Sequence, residues 1–188
     1  MRKIALLSAM LFVMATIVNA QNFKPIKIGF AVGYTAPSDG GGGILFDLEP
    51  AYRINDAIAV GLRLESAAMA RNVGDTKASV SANVSYTING IYYFTNSNVR
   101  PYAGLGLGLY SLASVSVTTS TSGLAASNEF GLYPRLGIDL GHFNLNLDYN
   151  IIPSSEAIIS TGTSPENIKI INSFLGIRIG FFVFGGKK

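Results

Sequence analysis

Residues 80–94 read VSANVSYTINGIYYF, and apolar and polar side chains alternate along this stretch. The even positions are mainly apolar or aromatic: Val80, Val84, Tyr86, Ile88, Tyr92 and Phe94. The odd positions up to residue 89 are polar: Ser81, Asn83, Ser85, Thr87 and Asn89. Successive side chains of a β-strand point to opposite faces of a sheet. The stretch therefore predicts a β-strand with one apolar face and one polar face.

The same alternation recurs in seven further segments, which gives eight predicted strands in all. The other segments are 26–34, 44–54, 58–64, 99–109, 130–140, 143–151 and 175–183. A strand of about ten residues crosses a bilayer when it is tilted. A soluble β-sandwich also alternates in this way, because its apolar faces lie inside, so the periodicity alone leaves both folds open.

The connections between the segments distinguish the two folds. Three are short and rich in turn-forming residues: 55–57, 96–97 and 141–142. Four are long: 35–43, 67–79, 111–128 and 152–168. Short and long connections alternate, as in an outer-membrane barrel with tight periplasmic turns and longer outer loops. The sequence therefore predicts an all-β fold, a single eight-stranded antiparallel up-and-down transmembrane β-barrel, with both termini on the periplasmic side.

Glycine, proline and aromatic residues add local predictions. The glycine run 40–43 and the Ser/Thr-rich segment 115–123 predict mobile, solvated loops. Pro50 and Pro134 fall inside predicted strands, where each removes a hydrogen-bond donor, so we expect bulges or local bends there. Outward aromatic residues near both strand ends predict girdles at the two membrane interfaces.

The N-terminus has the layout of a secretory signal peptide. Arg2 and Lys3 precede an apolar run from Ile4 to Val18, and small side chains lead to Ala20. We expect cleavage before Gln21, so residues 1–20 form the signal peptide and residues 21–188 form the barrel domain. No later segment has 18 consecutive apolar residues, which excludes helical membrane spans after the signal peptide.

Composition narrows the expected partners. Of the 14 Lys and Arg residues, two lie in the signal segment, so 12 remain against 11 acidic residues. The resulting charge of +1 and the lack of a basic patch give no indication of nucleic-acid binding. The chain contains no cysteine. Only 13% of the residues are charged, and no helical span follows the signal segment. An exported chain of this kind satisfies its backbone in lipid as a barrel, so we expect outer-membrane lipid around the folded chain.

The polar faces of the predicted strands contain balanced charges. The acids are Asp47, Glu49, Glu65, Glu129, Asp139 and Asp148, and the bases are Lys27, Arg53, Arg63, Arg100, Arg135 and Arg178. Unpaired buried charge is costly, so a narrow interior requires such a balance. The turn at 55–57 predicts Glu49 opposite Arg63, and the turn at 141–142 predicts Arg135 opposite Asp148. We expect these four residues to form interior ion pairs.

Candidate catalytic and cofactor residues have simpler interpretations. Asp47 and Glu49 resemble a paired-carboxylate site, but nearby arginines favour ion pairing. His142 is the only histidine and lies in a predicted periplasmic turn. The glycines at 104, 106 and 108 lack the Gly-Lys-Ser/Thr ending of a phosphate loop. We expect no catalytic residue, no metal site and no cofactor.

Three stretches resemble the small bacterial outer-membrane protein β-barrel domain family. They are PAYRINDAIAVGL at 50–62, YYF at 92–94 with RPYAG at 100–104, and GFFVFGGKK at 180–188. The resemblance extends over essentially the whole mature chain, and its motifs are structural. It implies location in the outer membrane and insertion by the outer-membrane assembly machinery, which recognises an aromatic-rich last strand.

The leading functional hypothesis is a non-enzymatic barrel with a structural or surface-interaction role through its long outer loops. The loop-binding partner is unknown from the sequence. One alternative is a narrow pore or small hydrophobic-ligand conduit across the outer membrane. A less favoured alternative is a lipid-modifying barrel enzyme, which would need a His or Ser site near the outer rim.

Overall fold

A computed structural model describes residues 22–73, 77–118, 121–161 and 164–186 of the protein. The strands are β1 Ile26–Pro37, β2 Gly41–Arg53, β3 Ile58–Val73, β4 Lys77–Tyr93, β5 Val99–Thr118, β6 Thr121–Leu140, β7 Phe143–Asn150, β8 Ser155–Thr161, β9 Ser164–Ile170 and β10 Phe174–Phe184. Eight of them close into an antiparallel barrel in the order β1-β10-β7-β6-β5-β4-β3-β2. The predicted fold class is therefore confirmed. Strands β8 and β9 form a separate hairpin. It begins in the predicted loop 152–168 and extends past it to Ile170, and the sequence pattern did not predict it.

The alternating pattern sets which face of each strand points outward. On β4, Tyr86 and Ile88 are exposed, whereas Ser85 and Asn89 are buried. The predicted girdle residues all lie on the outer surface: Tyr34, Phe46, Tyr52, Phe94, Phe130, Phe143, Tyr149 and Phe181. An apolar outer face and a polar interior are the reverse of a soluble sandwich. This arrangement suits a barrel surrounded by lipid.

The short turns follow from their residues. Asn55 Oδ1 accepts hydrogen bonds from the backbone N–H groups of Ala57 and Ile58, each at 2.8 Å. Gly141 has a φ of 63°, which glycine adopts at little cost. The connection between β4 and β5 extends over residues 94–98, somewhat longer than the predicted turn at 96–97.

All four predicted long loops are mostly strand. β5 and β6 pair continuously from Val99 opposite Leu140 to Thr118 opposite Thr121. β3 reaches Val73, and the glycine run belongs mainly to β2. Residues 41–43, 115–118 and 121–123 lie in strands, so their interpretation as loops was wrong. Paired strands satisfy each other's backbone hydrogen-bonding groups, so this Ser-, Thr- and Ala-rich sequence continues the β5–β6 hairpin.

The two strand prolines interrupt hydrogen bonding without shifting the register. Pairing of β2 with β3 stops after Leu48 and resumes at Ala51 in the same register. Pairing of β6 with β7 begins at Arg135, next to Pro134. Because proline lacks an N–H, it removes ladder bonds. The expected bulges are absent at both prolines, and β1 instead shifts register against β10 between residues 28 and 29.

The two ends of the barrel differ. The backbone N–H of Lys24 donates to the oxygen of Gly186 at 3.0 Å, so both ends of the described chain lie together. We call this the terminal end, and we call the opposite end, where β3–β6 extend, the hairpin end. The predicted signal peptide lies outside the described residues. Among the described residues, no helix is long and apolar enough to cross a membrane.

Candidate functional site

The middle of the barrel interior is a cluster of buried ion pairs. Arg178 Nε lies 3.0 Å from Asp47 Oδ2, and the same guanidinium contacts Glu65 and Asp148. Arg63 Nη1 lies 3.1 Å from Asp148 Oδ2, and Arg63 Nε lies 3.5 Å from Glu65 Oε2. Each side chain is at least nine-tenths buried. The cluster joins strands from opposite sides of the barrel wall.

The four residues predicted to form interior ion pairs have partners that differ from the predicted ones. The strand register has Arg135 opposite Asp148. However, Arg135 Nη1 donates to Glu49 Oε2 at 2.6 Å, and Arg63 bonds to Asp148. Glu49 does not ion-pair with Arg63. The reason is that long inward side chains reach across a narrow lumen, so Arg135 and Arg63 bind carboxylates on the far wall. Asp148 also contacts Arg178 on the adjacent strand β10.

Tyrosine rings fill the space above inward glycines. A Cβ atom at Gly106 would lie 2.2 Å from Tyr133 Cζ, and one at Gly137 would lie 2.3 Å from Tyr102 Cζ. The Tyr133 ring lies 3.6 Å from the Arg63 guanidinium carbon. Gly106 leaves room for the Tyr133 ring, which a side chain at this position would displace. The pairing of each ring with a glycine on the adjacent strand lets a bulky side chain lie flat on the wall.

A second ionic layer lies near the terminal end. Lys27 Nζ lies 2.7 Å from Asp139 Oδ2, which also accepts the Tyr93 hydroxyl at 3.0 Å. Asn144 Nδ2 donates to Asp139 Oδ1 at 2.7 Å. Arg53 is buried beside this group, 4.0 Å from the same carboxylate. The carboxylate of Asp139 is therefore fully occupied by partners inside the barrel.

The N-terminal segment closes the terminal end. Phe23 is buried, and its ring lies 3.8 Å from the Arg100 guanidinium carbon. The carboxylate of Asp56 accepts the backbone N–H groups of Asn22 at 2.9 Å and Phe23 at 3.2 Å. Partial burial favours the neutral acid. The hydrogen bonds from Asn22 and Phe23, with the nearby Arg100 charge, nevertheless hold the pKa of Asp56 below its usual range.

An apolar layer closes the lumen toward the hairpin end. Its buried members are Leu45, Ala67, Met69, Tyr110, Leu112, Ile152 and Phe174. Beyond it, Arg71 is buried, lies 3.6 Å from Asp39, and bonds to the backbone oxygens of Ile171 and Asn172. Several residues of these two features, including Ala67, Met69, Arg71 and Leu112, lie in segments that the sequence pattern assigned to loops, so neither feature was predicted. Continued alternation past residue 66 was the feature that would have revealed them.

Little open space remains between the two ionic layers. The cavity between the two ionic layers measures about 30 Å³ and is bordered by Lys27, Glu49, Arg135 and Asn146. A volume of this size holds about one water molecule. The ionic layers, the tyrosines and the apolar layer together occlude the lumen.

The residues considered from the sequence as catalytic candidates lie at the terminal end and in the lumen. His142 lies in the turn at the terminal end, with its ring 5.4 Å from the Phe182 ring. Asp47 and Glu49 point into the lumen and are engaged by arginines. Within the described ranges, no group of three or more His, Cys, Asp and Glu residues is arranged to hold a metal ion.

These observations define an occluded transmembrane β-barrel. The family model described as outer membrane protein beta-barrel domain matches residues 4–176. The chain belongs to this family, and it is accordingly a protein of the bacterial outer membrane. No curated protein matches the sequence.

Solved barrels are similar to this structure. The outer membrane protein OprG from Pseudomonas aeruginosa has a TM-score of 0.59 and 16% identity, covering 87% of this chain and 97% of its own. Neisserial surface protein A has a TM-score of 0.47 and 16% identity, covering 86% and 99%. Ail, the attachment invasion locus protein of Yersinia pestis, has a TM-score of 0.43 and 16% identity, covering 86% and 99%. At these identities, the likeness to OprG supports the fold alone.

Proposed function

We propose that this protein is a closed, non-enzymatic barrel that acts through the hairpins at its hairpin end, in a structural or surface-interaction role. The observation that supports this most directly is the length of β5 and β6, which have 20 residues each. A membrane crossing needs only about 9–11 residues. About half of each strand therefore projects beyond the apolar belt as a paired wall that a partner can contact.

The proposal includes an orientation. The short turns and both ends of the described chain lie at the terminal end, and the tall hairpins lie at the other. In bacterial barrels the short turns face the periplasm and the longer connections face outward. We infer that the terminal end is periplasmic and that the hairpins β3–β4, β5–β6 and β8–β9 face outward.

A non-enzymatic role is supported by the position of the potentially reactive groups. His142 packs against phenylalanine rings at the terminal end, far along the barrel from the hairpins. The interior carboxylates Asp47, Glu49 and Asp139 all bind cationic side chains. A lipid-modifying enzyme would need its site at the outer rim, where lipid enters.

The conduit alternative has one supporting observation, the apolar layer around Leu45, Met69 and Phe174. A hydrophobic ligand would suit that layer. Passage onward requires crossing the ion pairs of Arg178 and Arg135, which fill the lumen below it. The occlusion therefore favours the closed barrel over the conduit.

The test combines conductance with a shortened hairpin. The purified full chain in planar bilayers should show no stable porin-sized current, since eight strands enclose a lumen that side chains fill. A variant in which a two-residue turn replaces residues 114–125 should still fold and insert, because the membrane-crossing parts of β5 and β6 remain. We expect the intact chain to confer adhesion or aggregation on cells that express it, and the shortened variant should lose this effect.

Two results would contradict the proposal. A steady current from the intact chain would favour the pore. Surface phenotypes that persist unchanged in the shortened variant, and in a second variant lacking residues 155–170, would show that the hairpins are not the acting part. The paired variants are matched controls, since each alters one hairpin and leaves the other.

A further inference from the structure

Strand β6 has a free edge toward the hairpin end of the barrel. On one side β6 pairs with β5 along its whole length. On the other side it pairs with β7 over residues 135–140 and forms one more bridge, between Leu132 and Ile151. Within the described ranges, residues 121–131 have no paired strand on that side. β8 lies beside β6, but it pairs with β9 in a separate sheet.

The even-numbered residues of β6 present their backbone groups to this free edge. The N–H of Leu132 donates to the Ile151 oxygen at 3.1 Å, and the Leu132 oxygen accepts the Ile151 N–H at 2.8 Å. Both backbone groups of a strand residue point to the same side, and the side alternates from one residue to the next. β6 pairs with β5 without a register shift. The residues whose N–H and C=O groups point to the free edge are therefore Ser122, Leu124, Ala126 and Asn128.

The free edge lacks the features that protect an exposed strand. Natural proteins guard such edges with charged side chains, prolines or bulges. Residues 121–128 read TSGLAASN, a segment without a charged residue or a proline. The Asn128 side chain bonds toward β5, since its Oδ1 accepts a hydrogen bond from Ser111 Oγ at 2.7 Å. The backbone groups at the free edge are thus open to another strand.

We propose that this edge pairs with the same edge of a second copy of the chain, as two antiparallel strands. The inference rests on the proposed surface role of the hairpins and names their partner. Every copy of the chain has the same edge, and an uncharged segment brings no like charges together when two copies meet. The row of backbone donors and acceptors is therefore complementary to itself.

Symmetry selects the antiparallel arrangement. In an antiparallel pair, two even-numbered residues can face each other and exchange both hydrogen bonds, and a two-fold axis relates the copies. In a parallel pair, each even-numbered residue must lie opposite an odd-numbered one. That offset is incompatible with a two-fold axis, so two identical edges of this kind form a symmetric dimer only when they run in opposite directions.

The antiparallel arrangement also sets the register and the orientation of the two barrels. The overlap that uses all four residues of the free edge places Ser122 opposite Asn128 and Leu124 opposite Ala126, with Ala125 facing itself at the two-fold axis. It forms about eight hydrogen bonds. Because the two β6 strands run in opposite directions, the barrels face each other from two membranes. The dimer therefore joins two cells that are in direct contact.

Cysteine cross-linking tests this pairing directly, because the chain contains no cysteine of its own. Facing residues in a non-hydrogen-bonded antiparallel pair have Cα atoms about 4.5 Å apart, which is within the range of a disulfide. The full chain with Ala125→Cys, folded in a non-ionic detergent and mildly oxidised, should therefore form mainly a disulfide dimer. Ala82→Cys, on the exposed outer face of β4, is the matched control and should remain monomeric.

A second substitution in the Ala125→Cys chain blocks the edge. Ala126→Pro removes a backbone donor of the free edge and leaves the pairing with β5 intact, because the Ala126 N–H points away from β5. It should reduce the amount of dimer at least tenfold. The gel mobility of unheated samples reports whether the barrel folds. Should the proline variant fail to fold, Ala126→Lys should also reduce the dimer by placing a charge at the edge, whereas Ala82→Lys should not.

Two cell populations that express the Ala125→Cys chain with different epitope tags test the orientation. Disulfides between the two tags in cells pelleted together would support pairing across two membranes, and dimers confined to one tag would overturn it. Absence of dimers in detergent, or equal amounts of dimer with and without Ala126→Pro, would also overturn the proposal. A dimer that appears only after removal of residues 155–170 would overturn it as well, since the β8–β9 hairpin would then cover the edge.

Failure of this proposal is distinguishable from failure of the proposed function. If no dimer forms but the shortened β5–β6 hairpin still abolishes adhesion, the hairpins bind a different partner, and only the self-pairing is overturned. If the dimer forms but adhesion persists unchanged in the shortened variant, the self-pairing stands and the proposed function of the hairpins is contradicted.

Discussion

The ion pair between Glu49 and Arg135 tests which charged side chains pair with each other inside the barrel. Its closest atoms are 2.6 Å apart, and the two side chains are 11% and 4% exposed. Removing one partner of a buried pair costs about 3–5 kcal/mol in the free energy of unfolding. Because Glu49 borders the small lumen cavity, water relieves part of this cost, and we expect about 2–3 kcal/mol for each single substitution.

The perturbation is a double-mutant cycle with Glu49→Gln and Arg135→Met. The double variant should lose less stability than the sum of the single variants, with a coupling of about 1–3 kcal/mol, because either single change already breaks the pair. Exchanging the charges, with Glu49→Arg and Arg135→Glu together, should restore part of the loss.

The control cycle pairs Arg135→Met with Asp148→Asn. These two residues are opposite each other on adjacent strands, yet the Asp148 carboxylate bonds to Arg63 and Arg178. Its coupling to Arg135 should therefore be smaller than that of Glu49.

The chain contains no tryptophan, so unfolding in urea is best followed by circular dichroism and by the gel mobility of unheated samples. A larger coupling for Arg135 with Asp148 than for Arg135 with Glu49 would refute the reasoning. It would mean that the interior pairs follow the strand register instead of crossing the lumen.

Three other predictions concern packing, pH and processing. Gly106→Val should destabilise the barrel by about 1–3 kcal/mol in urea unfolding, since its side chain overlaps the Tyr133 ring; combining it with Tyr133→Ala should cost less than the sum of the two, and strict additivity would contradict the contact. The pKa of Asp56 is lowered in the folded protein. Its hydrogen bonds to Asn22 therefore stabilise the folded state fully above the pKa of the unfolded chain, about 3.9, and this stabilisation is lost as the pH falls through the folded pKa. The protection of the Asn22 amide, which is its exchange rate corrected for the intrinsic rate at each pH, should therefore fall in acid and be insensitive to pH in Asp56→Asn. Mass spectrometry of the protein from outer membranes should give Gln21 as the first residue, and an intact residue 1–20 segment would contradict signal cleavage.

The sequence predicts the parts of this fold that depend on neighbouring residues. Alternation in 80–94 predicts a strand, and Asn55 and Gly141 predict tight turns, because each effect acts within a few residues. The continuation of β5 to Thr118 was missed, since Ser and Thr are equally common in loops and in solvated strands. The partners of the interior ion pairs could not be predicted from the sequence either, because they depend on the width of the lumen.

Tight turns could be predicted from the sequence and ion-pair partners could not, and the way in which the barrel closes explains why. In the circular strand order, β2 and β6 are four strands apart, as are β3 and β7. The pairs Glu49–Arg135 and Arg63–Asp148 therefore lie directly across the lumen. Such contacts form only when β1 meets β10 and the barrel closes, so they do not set the register of the hairpins. The turns and the alternating pattern must set the register of the hairpins first. The ion pairs across the lumen then stabilise only the closed barrel. Substitutions at these pairs should for this reason raise the unfolding rate more than they lower the folding rate.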